Sequence, residues 1–197
     1  SSKVTDLNAV EPDVVLENGA VLIKANINTS LGLLEKQWRI DEIKGHLTLS
    51  YRLHWPNLDI GSLRLGYLTL NPKAFAQNTL CYRTHNGGWD LETFRTARSC
   101  FDHGAPVSSL ISANQALGMT EGRLLIGDDR FAINLKLEKT KHAGIGLVSY
   151  QEIEGSYLFR SVVTLKEFDD TSRGSGCDEK LDFEIKINPQ SNKQNRR

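Results

Sequence analysis

Between residues 84 and 112 the stretch THNGGWDLETFRTARSCFDHGAPVSSLIS gathers side chains that do chemistry. His85, Asn86, Trp89, Asp90, Glu92, Asp102 and His103 all fall within it. Asp90 and Glu92 are two apart, so a strand would place both on one face with Cβ atoms roughly 6–7 Å apart. Two carboxylates so placed suit general acid and base work on a glycosidic bond. With Arg95 and Arg98 close by, they equally suit a solvated strand face balanced by cations. Asp102-His103-Gly104 has two readings as well: a carboxylate that orients an imidazole, or a turn in which the histidine bonds the backbone. Trp89, beside Gly87-Gly88, offers an aromatic face on which the C–H face of a sugar stacks while amides and carboxylates take the hydroxyls. Burial in the core is the competing reading of Trp89. These seven residues are the candidate ligand-binding set, and no residue is assigned a catalytic role.

Other chemistries fit the residues poorly. His85 and His103 have no second close ligand, so the spacing is not that of a zinc site, and neither metal nor cofactor is expected. Asp128-Asp129 and Asp169-Asp170 match no EF-hand loop and read as turns. Ser108, Ser109 and Ser112 lack a nucleophile elbow, and no Gly-rich phosphate loop occurs. Cys81, Cys100 and Cys177 are odd in number and show no CxxC spacing, so they read as small buried thiols in a reducing, cytoplasmic compartment.

Charge and hydropathy narrow the partners. Lys plus Arg equals Asp plus Glu, 24 against 24, so the formal net charge is zero. The basic footprint of a nucleic-acid binder is missing. No run approaches the roughly 18 apolar residues of a membrane span, and the polar N-terminus has no signal core. The chain starts without Met, so a trimmed fragment is one reading of it.

Alternating segments must position the candidate residues. Residues 1–12 read as a lead-in, 13–188 as a single β domain and 189–197 as a flexible tail. Short apolar runs at 14–16 and 20–27 flank the turn Glu17-Asn18-Gly19. Residues 31–40 fit a strand better than a helix because of Gly32. Residues 46–54 alternate strictly, with Leu47, Leu49, Tyr51 and Leu53 on one side. Strands are expected at 62–70 and 80–84, and Gly87-Gly88 should fold 91–95 back beside 80–84 as a hairpin. Residues 112–118 read as a short helix, with Ser112 as N-cap and Gly118 at the C-terminus. Two further hairpins are expected, one around a two-residue loop Asp128-Asp129 and one around Glu154-Gly155. A last strand over 181–187 should end at Pro189. Half-polar strands of this kind build antiparallel sheets. The predicted fold is therefore all-β, a large antiparallel β-sandwich.

The quoted segments LENGAVLIKANINTSLGLLEKQW, LTLSYRLHW, GSLRLGYLTLNP, THNGGWDLETF and FDHGAPVSSLISANQALGMTEG resemble a known group. It is the C-terminal β domain of family fifty-seven glycoside hydrolases, the amylases and glucanotransferases, and more distantly of α-mannosidases. The resemblance covers most of residues 12–188. It implies a galactose mutarotase-like β-supersandwich and an accessory, non-catalytic role beside a catalytic barrel of the same polypeptide. The partner it implies is a carbohydrate, an α-glucan in the first instance. The catalytic acids of those enzymes lie on the barrel, which this chain has no room for, so no catalytic residue is carried over. Two other roles stay open: a stand-alone epimerase or hydrolase using a His/carboxylate pair, and a structural or protein-interaction module.

Overall fold

The computed structural model describes residues 4–56, 62–96, 115–142, 144–167 and 181–191. In chain order its strands are β1 (Asp13–Glu17), β2 (Ala20–Thr29), β3 (Gly32–Asp41), β4 (His46–His54), β5 (Ser62–Thr69), β6 (Cys81–Thr84) and β7 (Glu92–Arg95). There follow β8 (Gln115–Gly118), β9 (Arg123–Gly127), β10 (Phe131–Leu137), β11 (Ile145–Ile153), β12 (Ser156–Glu167) and β13 (Leu181–Ser191). The helical content of the described residues is a single 3-10 turn, Gln77–Thr79. The described residues are all-β, with antiparallel pairing along β1-β2-β3-β4-β13, β10-β9-β6-β7 and β12-β11-β8. It divides into two compact units, Ser1–Gly61 with Glu167–Asn188, and Ser62–Lys166 with Pro189–Arg197.

The first unit carries the strand order β1-β2-β3-β4-β13. Tight turns join its first strands: Asn18 and Gly19 both take positive φ, which closes β1 onto β2. The strict alternation of β4 is realised, with Leu49, Tyr51 and Leu53 buried and Arg52 exposed. Lys36 lies on the same face of β3 as Trp38, opposite Tyr51. Its Nζ is 2.7 Å from Asp6 Oδ2 in the lead-in and 5.7 Å from the Tyr51 ring centroid. An ammonium among aromatic faces is tolerable because it keeps an anionic partner and two ring quadrupoles. Both charged groups remain partly exposed, so the ion pair itself contributes under about 1 kcal/mol. β1 differs from the other strands. All five of its residues are exposed, Leu16 among them.

The second unit is a sandwich. One of its sheets runs β10-β9-β6-β7 and the other β5-β12-β11-β8. Leu124, Leu125 and Ile126 of β9 are fully buried, as is Phe159 of β12. Each buried side chain of this size stabilises the fold by roughly 1.5–3 kcal/mol. The sheets meet closely: a Cβ added at Gly146 on β11 would sit 3.2 Å from Leu124 Cδ2 on β9.

Three local expectations are corrected. Residues 115–118, read as the end of a short helix, form β8 and pair with β11 from Gln115↔Val148 to Gly118↔Ile145. Four residues gain too little from one helical turn, whereas the edge of β11 supplies a ready ladder; Ser112 lies outside the described residues. β13 continues past Pro189 to Ser191; its ladder with β4 runs only to Ile187↔Leu47, so Pro189 interrupts no bond of that pairing. The β9–β10 loop spans three residues, Asp128 to Arg130, instead of two. The cause is Asp128, whose Oδ1 takes the N–H groups of Arg130 and Phe131, each at 2.9 Å.

Candidate functional site

The predicted hairpin of the organising stretch forms. β6 and β7 pair from Cys81↔Arg95 to Thr84↔Glu92, so residues 85–91 make the connecting loop. Tyr82 and Phe94 face each other across the pair and stack, with ring centroids 5.3 Å apart. The Tyr82 hydroxyl is buried without a hydrogen bond, and burial pushes its phenol well above the ordinary value. It is a core residue and not a proton donor.

The root of the loop is clamped. The Thr120 N–H and hydroxyl both donate to the His85 carbonyl, at 3.0 and 2.8 Å. The Gly118 N–H donates to Asn86 Oδ1 at 2.7 Å. Thr84 Oγ1 lies 2.8 Å from the Gly118 carbonyl. A Cβ at position 118 would lie 3.1 Å from Asn86 Oδ1, a tight contact that the Asn86 side chain would have to relieve by shifting. Hydrogen bonds of this kind contribute about 0.5–1.5 kcal/mol each.

Beyond Asn86 the loop stands clear. Gly87 takes φ +88, and neither Gly87 nor Gly88 would bring a Cβ within 4 Å of another residue. The turn needs glycine for its backbone and not for space. Trp89 is 100% exposed, which removes the core reading of that residue. Asp90 and Glu92 are exposed too. Only Glu92 lies in β7, and Asp90 belongs to the loop. The expectation that one strand face holds both carboxylates is therefore corrected, because the chain enters its ladder only at residue 92. Asp102 and His103 lie outside the described residues.

His85 sits at the junction of clamp and tip. Its Nδ1 is buried and makes no hydrogen bond, and an unsatisfied ring nitrogen is the sort of group that calls for a partner. Glu121 lies within electrostatic reach of it. The Lys139 ammonium bonds Glu121 and holds its carboxyl below the usual range, with His85 adding to the effect. No local pattern singles out Thr120, Glu121 or Lys139; Thr120 and Glu121 come to the loop root from about thirty-five residues along the chain, and Lys139 joins them through Glu121. Among the described residues no three His, Cys, Asp or Glu side chains gather as metal ligands would.

Two further groups resolve plainly. Burial raises the thiol pKa of the half-buried Cys81, with Arg83 and Arg95 offsetting part of the effect, which disfavours the thiolate. Asp128 is a structural clasp. Its Oδ2 accepts from the Ala76 N–H at 2.9 Å and from the Arg130 guanidinium at 2.9 Å.

No protein-family model matches the chain, and no curated protein does. Among solved structures it is similar to an Escherichia coli K12 protein whose description as an aldose 1-epimerase is provisional. The two are 14% identical, with a TM-score of 0.48 over 92% of this chain and 69% of that one. So distant a likeness carries neither family membership nor activity. The all-β, antiparallel architecture stands on the strands and ladders themselves.

Proposed function

We propose that this chain is an accessory, non-catalytic, carbohydrate-associated β domain of a glycoside hydrolase-like protein. The observation that carries the proposal is Trp89, wholly exposed at the tip of a loop whose root is clamped. A large aromatic face held out in water has no role in the core, and a sugar ring stacks on such a face. Asn86, Asp90 and Glu92 are close in sequence and offer hydrogen bonds to hydroxyls. His85 and Glu121 favour a second reading, a stand-alone sugar-active enzyme in which the imidazole and carboxylate exchange protons with the substrate.

Calorimetric titration with maltooligosaccharides tests the first reading. Binding of about 4–8 kcal/mol is expected, which corresponds to millimolar to micromolar dissociation constants. Trp89→Ala should weaken it about tenfold or more and leave the melting temperature unchanged, since the side chain packs on nothing. No binding by the wild type, or equal binding by the variant, would sink the stacking role. Catalysed exchange between sugar anomers that disappears in Glu121→Gln would favour the enzyme.

A further inference from the structure

The sheet β10-β9-β6-β7 has a second face, opposite the one that meets β11. Successive side chains alternate between the faces of a strand, and the registers define which residues share this one. Arg83 lies between Thr93 and Leu125, and Asn134 follows on β10. One row along, Arg123 pairs with Lys136. One row the other way, Cys81 pairs with Arg95. Among the described side chains at the strand positions of β6, β7, β9 and β10, this face carries four cationic residues and no carboxylate, around a floor that includes the fully buried Leu125.

Asn134 is an independent sign. It is 0% exposed, and its Oδ1 accepts from Arg123 Nε at 3.1 Å. That bond fixes which end of the amide is which, and Nδ2 is left buried without a partner. A buried donor in that state is destabilising unless something accepts from it. It persists beside Arg123, whose pKa is lowered by its own burial and then by the charge of Arg83. Two guanidiniums near enough to repel, with an unsatisfied donor against one of them, make a place where a ligand with several acceptor oxygens is favoured. Arg83, Arg95 and Arg123 each make further interactions. That is compatible with ligand binding, because a guanidinium has five N–H donors and can serve a protein contact and a ligand together.

We propose that this face of β6, β9 and β10 is an oxyanion site, in which Arg83, Arg123, Lys136 and the Asn134 amide bind a phosphoryl or carboxylate group. It does not rest on the glycan reading of Trp89. The group could arrive as free phosphate or on a sugar acid or sugar phosphate, and the same donors serve all three.

The test is calorimetry on the full chain in phosphate-free buffer at low salt, with inorganic phosphate, glucuronate, glucose 6-phosphate and glucose as probes. At least one anion should bind, and glucose should bind at least about tenfold more weakly than either sugar anion. Phosphate that binds as tightly as the sugar anions identifies free phosphate as the source; sugar anions binding more tightly than phosphate identify the carried group. Arg83→Gln and Arg123→Gln should each lose about tenfold or more in anion affinity, the loss of a charge-assisted hydrogen bond. Absence of any anion binding by the wild type at about 10 mM overturns the site. Affinity unchanged in both arginine variants overturns it as well. Should those variants fail to fold by circular dichroism, Asn134→Leu decides. Weaker anion binding supports the site, whereas unchanged binding with a raised melting temperature marks the amide as an uncompensated core defect and overturns it. Trp89→Ala should keep anion binding; its loss there would move the anion to the loop and overturn the assignment to the sheet face.

Discussion

Asp128 shows how one side chain can hold a hairpin. The residue is 1% exposed, and burial alone would raise its pKa. The N–H groups of Ala76, Phe131 and Arg130, with the Arg130 guanidinium, outweigh that and hold it at about 2, down from 3.8. The sign follows from linkage. A carboxyl whose folded pKa lies below its unfolded value adds stability above the unfolded value and loses it as the pH falls. Here the window runs from about pH 4 down to about pH 2, and the contribution is about 2 kcal/mol. Asp128→Asn should therefore destabilise the protein by about that amount at pH 7 and by almost nothing at pH 2. Urea unfolding of both proteins at the two pH values checks this, and a difference that persists at pH 2 would assign the loss to packing.

At the scale of elements, the β9–β10 hairpin is built around a close approach as well as a charge. A Cβ at Gly127 would lie 2.0 Å from the Phe131 carbonyl oxygen and 2.6 Å from Ala132 Cα. Both obstacles are backbone, so the ladder itself would have to move. Gly127→Ala should cost about 3 kcal/mol or more, well above a typical surface substitution. Thermal unfolding measures it, and a melting temperature within a degree or two of wild type would mean that the hairpin flexes more than its geometry implies. The β6–β7 hairpin works differently. Its loop is anchored by bonds from Gly118 and Thr120, which lie on the far side of a long sequence separation. Its tip packs on nothing at Trp89, and the positive φ of Gly87 is what sets the turn there.

For the molecule as a whole, charge is balanced and strands dominate. With 24 basic and 24 acidic residues the sequence pI is about 6.9. Net charge keeps proteins apart in solution, so solubility should pass through a minimum near neutral pH and rise toward pH 5 and pH 9. Precipitation by ammonium sulfate across that range reads it directly, and a minimum displaced to pH 5 would reveal that the exposed charge differs from the total. No described helix is long and apolar enough to cross a membrane.

Local chemistry determined most of the strands. Period-two alternation in residues 46–54 made β4 legible, Gly87-Gly88 made the β6–β7 hairpin legible, and Glu154-Gly155 did the same for β11 and β12. These signals are local because a strand's faces and a turn's φ values are set by neighbouring residues. Residues 115–118 were not legible, since whether so short a segment is strand or helix depends on a partner edge some thirty residues away. The candidate site divides the same way. Its aromatic and its acids could be named from the sequence, but Asp90 and Glu92 were parted by a ladder that begins only at residue 92. Exposure of Trp89, the clamp from Thr120, the orphaned Asn134 amide and the row Arg83–Leu125–Asn134 were decided by the tertiary structure alone. Apart from Trp89, which lies in a loop, each depends on contacts between segments distant in the chain, and those follow from which faces find apolar cover.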